Sequence, residues 1–367
     1  MAKSVNRPNR IDTFNFVPSI FIIAFLLVGF VPNLDAVDKI APQWLYLSIL
    51  NFCCGLFLLY SKRQFQEQFT SVLSSLMGIT YLLFVTWAAL SYFYAINSTE
   101  VIVNIARQFN TLFMFLHFGI FIYKLKDRKR LLSLIIMGIL AIEVYAVLDQ
   151  ALGLYKAGEE IYPDYLKGVT ANRNITAFSI AIKIPFVVYL LLFSNKIYKK
   201  IFYSFLIFLS LFSISLIQSR ASYIAVFLVG ALILFYSAYN YYKTKSLKEL
   251  FINLFYIIPF FLAILFNQIL ISDKGVSAIN RAATIGRGIT DNSINQRFRY
   301  YQDVFTQIGE TPVFGVGLGN WKLKSIYHDR LDIDGYIVPY HAHSDFIQLG
   351  AELGIFGFIF YLGIFLI

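Results

Sequence analysis

The chain has 367 residues, 58% of them hydrophobic and only 14% charged. That balance excludes an ordinary soluble domain and fits an integral membrane protein. The formal net charge of +10 would suit a nucleic-acid partner, but its placement along the chain argues against one.

Ten apolar runs are long enough, or nearly so, to cross a hydrocarbon core of ~30 Å. They cover 15–32, 44–60, 71–95, 101–123, 131–152, 174–194, 200–217, 221–239, 250–272 and 345–367. The expected fold is an all-α polytopic membrane protein. The first run is long, and no small-residue cleavage site follows it, so it reads as a helix and not as a signal peptide. Basic residues collect before the first run and in alternate connections. They include Lys3, Arg7, Arg10, Lys62, Arg63 and the cluster Lys124, Lys126, Arg128, Lys129 and Arg130, opposed only by Asp12, Glu67, Asp127 and Glu249. The long connection 273–342 is nearly balanced in charge. The positive-inside rule then puts the N-terminus in the cytoplasm and the long loop outside. The basic surplus is a topology signal with contact to membrane lipids, and no nucleic acid is expected. The neighbours Cys53 and Cys54 point apart on a helix and read as apolar fillers. The chain ends in an apolar run with no charged residue after it, so further helices are expected to follow.

Charges inside membrane runs are costly and mark pairs or sites. Glu143 and Lys183 both fall near mid-bilayer. Arg107 lies about 10 Å below the outer surface, at ~1.5 Å rise per residue. A structural account pairs Lys183 with Glu143 and Arg107 with Asp149. A functional account has Arg107 face an external cavity that accepts an anion. His117 in the same run reads as a helix-packing hydrogen bonder. The outer connection before the sixth run ends in Asn172-Arg173-Asn174. Between the seventh and eighth runs the turn is short, and Arg220 there can anchor to headgroups or aim its fork-shaped guanidinium at a phosphate.

Asn295 to Gly354 organises the rest. Asp291 or Ser293 can cap a helix that ends near Gly309. Ile294, Phe298, Tyr301, Phe305 and Ile308 form one apolar stripe on it. Arg297 falls at the edge of that stripe and Arg299 opposite, so Arg297 is expected against the protein or membrane surface and Arg299 in solvent. Gly315, Gly317 and Gly319 lack the strand–turn–helix context of a nucleotide loop and suit a tight turn that returns the chain to the membrane. His341 and His343 share a face in extended chain. With Asp332 and Asp334 they allow a metal pair, though nothing else shows ligand spacing, and no metal or other cofactor is expected. Ser344 can cap the final helix. On it Asp345, Gln348 and Glu352 make a polar stripe that should face a cavity, with His343 at its mouth.

These residues resemble those of the O-antigen ligase and O-antigen polymerase superfamily of bacterial envelope glycosyltransferases. The resemblance runs through Ser219-Arg220-Ala221, through Arg297 followed by Pro312 and Gly315-Val316-Gly317-Leu318-Gly319-Asn320-Trp321, and through His343-Ser344-Asp345-Phe346-Ile347-Gln348 to Glu352-Leu353-Gly354. It implies a GT-C-type helical bundle of about twelve helices in the bacterial inner membrane. The catalytic loop, 273–342, would lie on the periplasmic side between helices 1–9 (1–272) and helix 10 (343–367). The implied donor is an undecaprenyl-pyrophosphate-linked glycan. The acceptor is a sugar hydroxyl of the lipid A core in a ligase, or a second lipid-linked glycan in a polymerase. Arg220, Arg297 and His343 match the family's essential arginines and histidine. Arg107, Arg173, Asn174, His341, Gly317 and Gly319 are expected to bind substrate. A transporter of lipid-linked oligosaccharide is the rival class, argued from Glu143 and Lys183.

Overall fold

A computed structural model describes residues 13–32, 34–125, 127–170, 172–247, 251, 254–271, 292–330 and 340–367. The chain is helical, and among the described residues there is no strand. It divides into two compact units, residues 1–126 with 288–367, and residues 127–287.

The first unit holds α1 (Thr13–Leu26), α2 (Ala41–Tyr60), α3 (Lys62–Leu73), α4 (Leu76–Leu90), α5 (Ser98–Lys124), α11 (Asn292–Glu310), α12 (Trp321–Asp329) and α13 (Asp345–Leu366). The second holds α6 (Arg128–Lys156), α7 (Arg173–Leu192), α8 (Ile197–Ile217), α9 (Arg220–Thr244) and α10 (Leu254–Ile271). Each of the ten apolar runs coincides with a helix. Among the described residues eight helices are long and apolar enough to cross a membrane, and Phe16–Leu26 and Phe255–Ile269 are shorter apolar ones. The chain is a multi-pass membrane protein. Helices are the spanning element because each satisfies its own backbone in lipid.

The third run departs from expectation. It breaks at Ser74 and Ser75, where the Ser75 hydroxyl accepts the Gly78 N–H and starts α4. The preceding α3 is amphipathic. It buries Phe65 and Val72 seven residues apart and leaves Lys62, Arg63, Gln66 and Glu67 outward. A helix of this kind lies along an interface and does not cross.

In the first unit α5 packs against α1, α2, α3 and α4, while α13 packs against α4 and α11. His117 of α5 meets Asn51 of α2 at 3.1 Å, the helix-packing role expected of it. In the second unit α8 sits between α7 and α10. Its core is built from Leu140, Val144, Val147, Ala177, Ile180, Ile184, Ile207 and Leu211. The expected Lys183–Glu143 pair is made there: Lys183 Nζ reaches both carboxylate oxygens at 2.9 Å. Ser179 donates to Glu143 at 2.8 Å. Two charges among apolar side chains are tolerable because each satisfies the other.

Candidate active site

The site is built on a break in α13. At Gly354 the backbone leaves the helix, with φ 65° and ψ −165°. Helical bonding fails there, and the freed carbonyls find other partners. Ala351 O accepts Val316 N–H at 3.0 Å and Glu352 O accepts Gly317 N–H at 2.8 Å. Leu353 O accepts the indole N–H of Trp87 at 2.8 Å. Ile355 N–H donates to Pro312 O at 2.9 Å. The glycine loop 312–320 is therefore clamped into the gap, and two glycines make the approach possible. A Cβ on Gly354 would lie 2.1 Å from Val313 O, and one on Gly315 would lie 2.4 Å from the Glu352 carbonyl carbon.

The loop's other side is held by the α4–α5 connection. Leu318 N–H donates to the Ser91 hydroxyl at 3.1 Å, and Asn97 N–H to Asn320 Oδ1 at 2.7 Å. Buried Asn320 and Trp321 close the motif. The N–H of Gly317 is spent on Glu352 O, and that of Gly319 on Glu352 Oε2 at 2.8 Å.

From Glu352 a relay leads to the histidine. Glu352, 3% exposed, also accepts from Gln348 Nε2 at 3.0 Å. The amide oxygen of Gln348 accepts Ala342 N–H at 3.1 Å. Ala342 is buried and fixes the step into His343, whose backbone is left-handed at φ 58°. Ser344 stands at the N-cap of α13, but its side chain makes no cap bond. The His343 ring lies nearly parallel to Tyr300 of α11 at 6.0 Å. Burial first, then the Arg297 charge, then His341, hold the His343 imidazole below the ordinary histidine range. The residue nevertheless keeps solvent exposure. An exposed histidine whose pKa is held low is suited to take a proton.

Arg297 and Arg299 differ, though not as their angles foretold. Arg299 is no solvated side chain. Its Nε lies 2.8 Å from Oδ1 of buried Asp329, and it also covers the Tyr300 ring at 5.5 Å. The packed face of α11 is Tyr300, Val304 and Gln307, while Phe298 and Phe305 of the apolar stripe are 60% and 59% exposed. Arg297 is exposed, with its charge felt at His343.

Arg107 lines a cavity of about 830 Å³ with Glu100, Asn104, Gln108, Gly319, Lys322, Tyr340, His341, Asp345, Gln348, Glu352 and Tyr361. The polar stripe of α13 does face a cavity, as its spacing suggested. The partner of Arg107 is Asp38, at 2.9 Å, and not Asp149. The first unit thus gathers His343, His341, Arg297, Arg107, Gly317 and Gly319.

Arg220, Arg173 and Asn174 belong to the second unit. Gln218, left-handed at φ 58°, ends α8 by donating its N–H to Ile214 O. Two residues later Arg220 opens α9. Arg173 pairs with Asp164 at 3.3 Å, and the Asn172 side chain caps α7 by accepting Asn174 N–H at 2.9 Å. Among the described residues no group of three or more His, Cys, Asp or Glu could hold a metal. Asp332 and Asp334 lie outside the described residues. Sequence reasoning missed Asp38, Asn97, Ser91, Trp87 and Asp329, all of which act through contacts distant in sequence.

Comparison with known proteins follows the same motifs. The profile of the O-antigen ligase family matches residues 205–362. A Rickettsia conorii protein that carries the provisional name polysaccharide ligase is 27% identical over 299 residues. That match covers 78% of this chain and 65% of the relative, so the chain spans about two thirds of the curated relative's length. Arg220, Arg297, the glycine loop and His343 all lie inside the stretch that is similar to the O-antigen ligase family.

Proposed function

We propose that the chain is a metal-independent, inverting glycosyltransferase of the O-antigen ligase type. It moves a glycan from undecaprenyl pyrophosphate to a sugar hydroxyl of the lipid A core, at the periplasmic face of the inner membrane. The observation that carries this reading is geometric: His343 follows Ala342, whose N–H is held by Gln348, and its ring lies against Tyr300 of α11, the helix that also carries Arg297.

The residues suit the step. The His343 imidazole takes the proton of the acceptor hydroxyl as its oxygen attacks the anomeric carbon. The bond from that carbon to the pyrophosphate oxygen breaks, and the electron pair leaves with undecaprenyl pyrophosphate. Direct attack inverts the anomeric centre. General-base help of this kind is worth roughly 10²–10⁴-fold. Arg297 meets the charge that grows on the leaving group, a role fixed guanidiniums fill without a divalent ion. Arg220 is the second candidate for that charge, on its match to the family motif.

A polymerase would use the same donor and residues with a second lipid-linked glycan as acceptor. The two differ in the envelope of a deletion strain: unligated lipid-linked polymer marks a ligase, core bearing a single repeat marks a polymerase. A transporter would move donor across vesicles without product. The Lys183–Glu143 pair speaks against that reading, since both charges are satisfied by each other and by Ser179.

A further inference from the structure

We propose that the cavity beside His341 binds the acceptor, a neutral hydroxyl-rich saccharide end, and not the pyrophosphate of the donor. The proposal rests on the glycosyl-transfer reading and assigns one of its two substrates to a place.

The argument is one of charge. The cavity has two lining side chains of fixed positive charge among the described residues, Arg107 and Lys322. Each already has a carboxylate: Arg107 meets Asp38 at 2.9 Å, and Lys322 meets Glu100 at 2.7 Å. Asp345 adds a further carboxylate to the wall that neither pair neutralises. A pyrophosphate entering here would have to displace a carboxylate from its cation and pass Asp345. A saccharide faces no such obstacle. Carboxylates accept from its hydroxyls, and the side-chain amides of Gln108 and Gln348 both donate and accept. The volume of about 830 Å³ lies within the range of small-ligand sites.

Direction points the same way. In-line displacement needs the attacking hydroxyl and the departing pyrophosphate on opposite sides of the anomeric carbon. The two substrates therefore need separate pockets of different electrostatic character. Arg297 is not part of the cavity lining among the described residues, yet its charge reaches His343. His341 lines the cavity and also acts electrostatically on His343. His341, which lines the cavity, precedes His343 by two residues, so the base and the saccharide-suited cavity are neighbours along the chain.

The test is protection of a thiol in the cavity. Gln108→Cys is made in the full chain with Cys53 and Cys54 replaced by alanine, and the protein is reconstituted in lipid. Maleimide labelling is timed with core-only lipopolysaccharide, with inorganic pyrophosphate, or with neither. At ten times its dissociation constant the lipopolysaccharide should slow labelling about tenfold, and pyrophosphate should leave the rate unchanged. Protection by pyrophosphate, or by neither probe at saturation, overturns the proposal. Protection by the lipopolysaccharide in a protein that transfers no glycan would keep the acceptor site and sink the transferase reading instead. Asp345→Asn should raise the KM for acceptor while leaving the KM for donor within about twofold of wild type, and a rise in the donor KM alone would contradict it.

Discussion

The carboxylate of Glu352 accepts the backbone N–H of Gly319 at 2.8 Å, adding a side-chain bond to the backbone bonds that tie the glycine loop to the broken helix α13. The same carboxylate accepts from Gln348, which in turn accepts from Ala342, so the loop and the His343 step share one network. A buried network of this kind is worth having only when every member is satisfied.

Glu352→Gln should therefore destabilise the protein. An amide set against the Gln348 amide leaves a buried group unmatched, at a cost of about 1–3 kcal/mol. Exchanging both residues, Glu352→Gln with Gln348→Glu, restores donors to acceptors along the whole relay. Thermal unfolding in detergent should show the single variant below wild type and the double variant recovered. A double variant no better than the single would show that the relay does not set stability.

The two arginines of α11 should separate by readout. Arg299→Ala removes the guanidinium that lies 2.8 Å from the buried Asp329 carboxylate, and its unfolding midpoint should drop by the equivalent of about 1–3 kcal/mol. Arg297→Ala should fold as well as wild type and lose roughly 10²–10³ in transfer rate. Arg297→Lys should also fail, because an ammonium cannot reproduce the guanidinium fork. Normal transfer by Arg297→Ala would remove Arg297 from the leaving-group side.

The Lys183–Glu143 pair predicts non-additivity. Glu143→Leu alone buries an uncompensated ammonium and should cost about 3–5 kcal/mol, whereas Glu143→Leu with Lys183→Met should regain most of it. The double variant should also keep transfer activity. Loss of activity in a well-folded double variant would return the pair to a functional role.

The sequence made much of this legible, and the failures share a cause. Run length found the ten apolar helices, and two charges at equal depth found the Lys183–Glu143 pair. The charges of α3 disguised a helix as a connection, because an interfacial helix carries too few apolar residues to register as a run. On α11 the apolar stripe, expected against the protein or the membrane surface, is not the face packed inside the protein. In this membrane protein Phe298 and Phe305 are exposed, while Gln307 turns inward to His328 at 3.1 Å. Periodicity measures apolar spacing and cannot say what the stripe faces. Asp38 and Asp329, the partners of Arg107 and Arg299, sit far away in sequence, where spacing carries no information.

The pH dependence follows from the His343 environment. A general base must be neutral, and transfer falls as pH drops through its folded pKa. Because that pKa lies below the ordinary 6.5, transfer should persist to pH values below 6.5 before it declines. Removing the Arg297 charge should raise the pKa and move the acid limb of the residual activity to higher pH. An unmoved limb would mean that Arg297 does not act on His343.

The central claim is a base-assisted transfer at His343. The direct measurement mixes purified chain, undecaprenyl-pyrophosphate-linked glycan and core-only lipopolysaccharide in EDTA, and follows ligated product for wild type and for His343→Asn. Asparagine tolerates the left-handed backbone that residue 343 adopts, so the variant tests chemistry and not folding. The wild type should make product in chelator, and the variant should be slower by roughly 10²–10⁴-fold. Product formed equally well by both proteins, or by neither until Mg²⁺ or Mn²⁺ is added, would contradict the account.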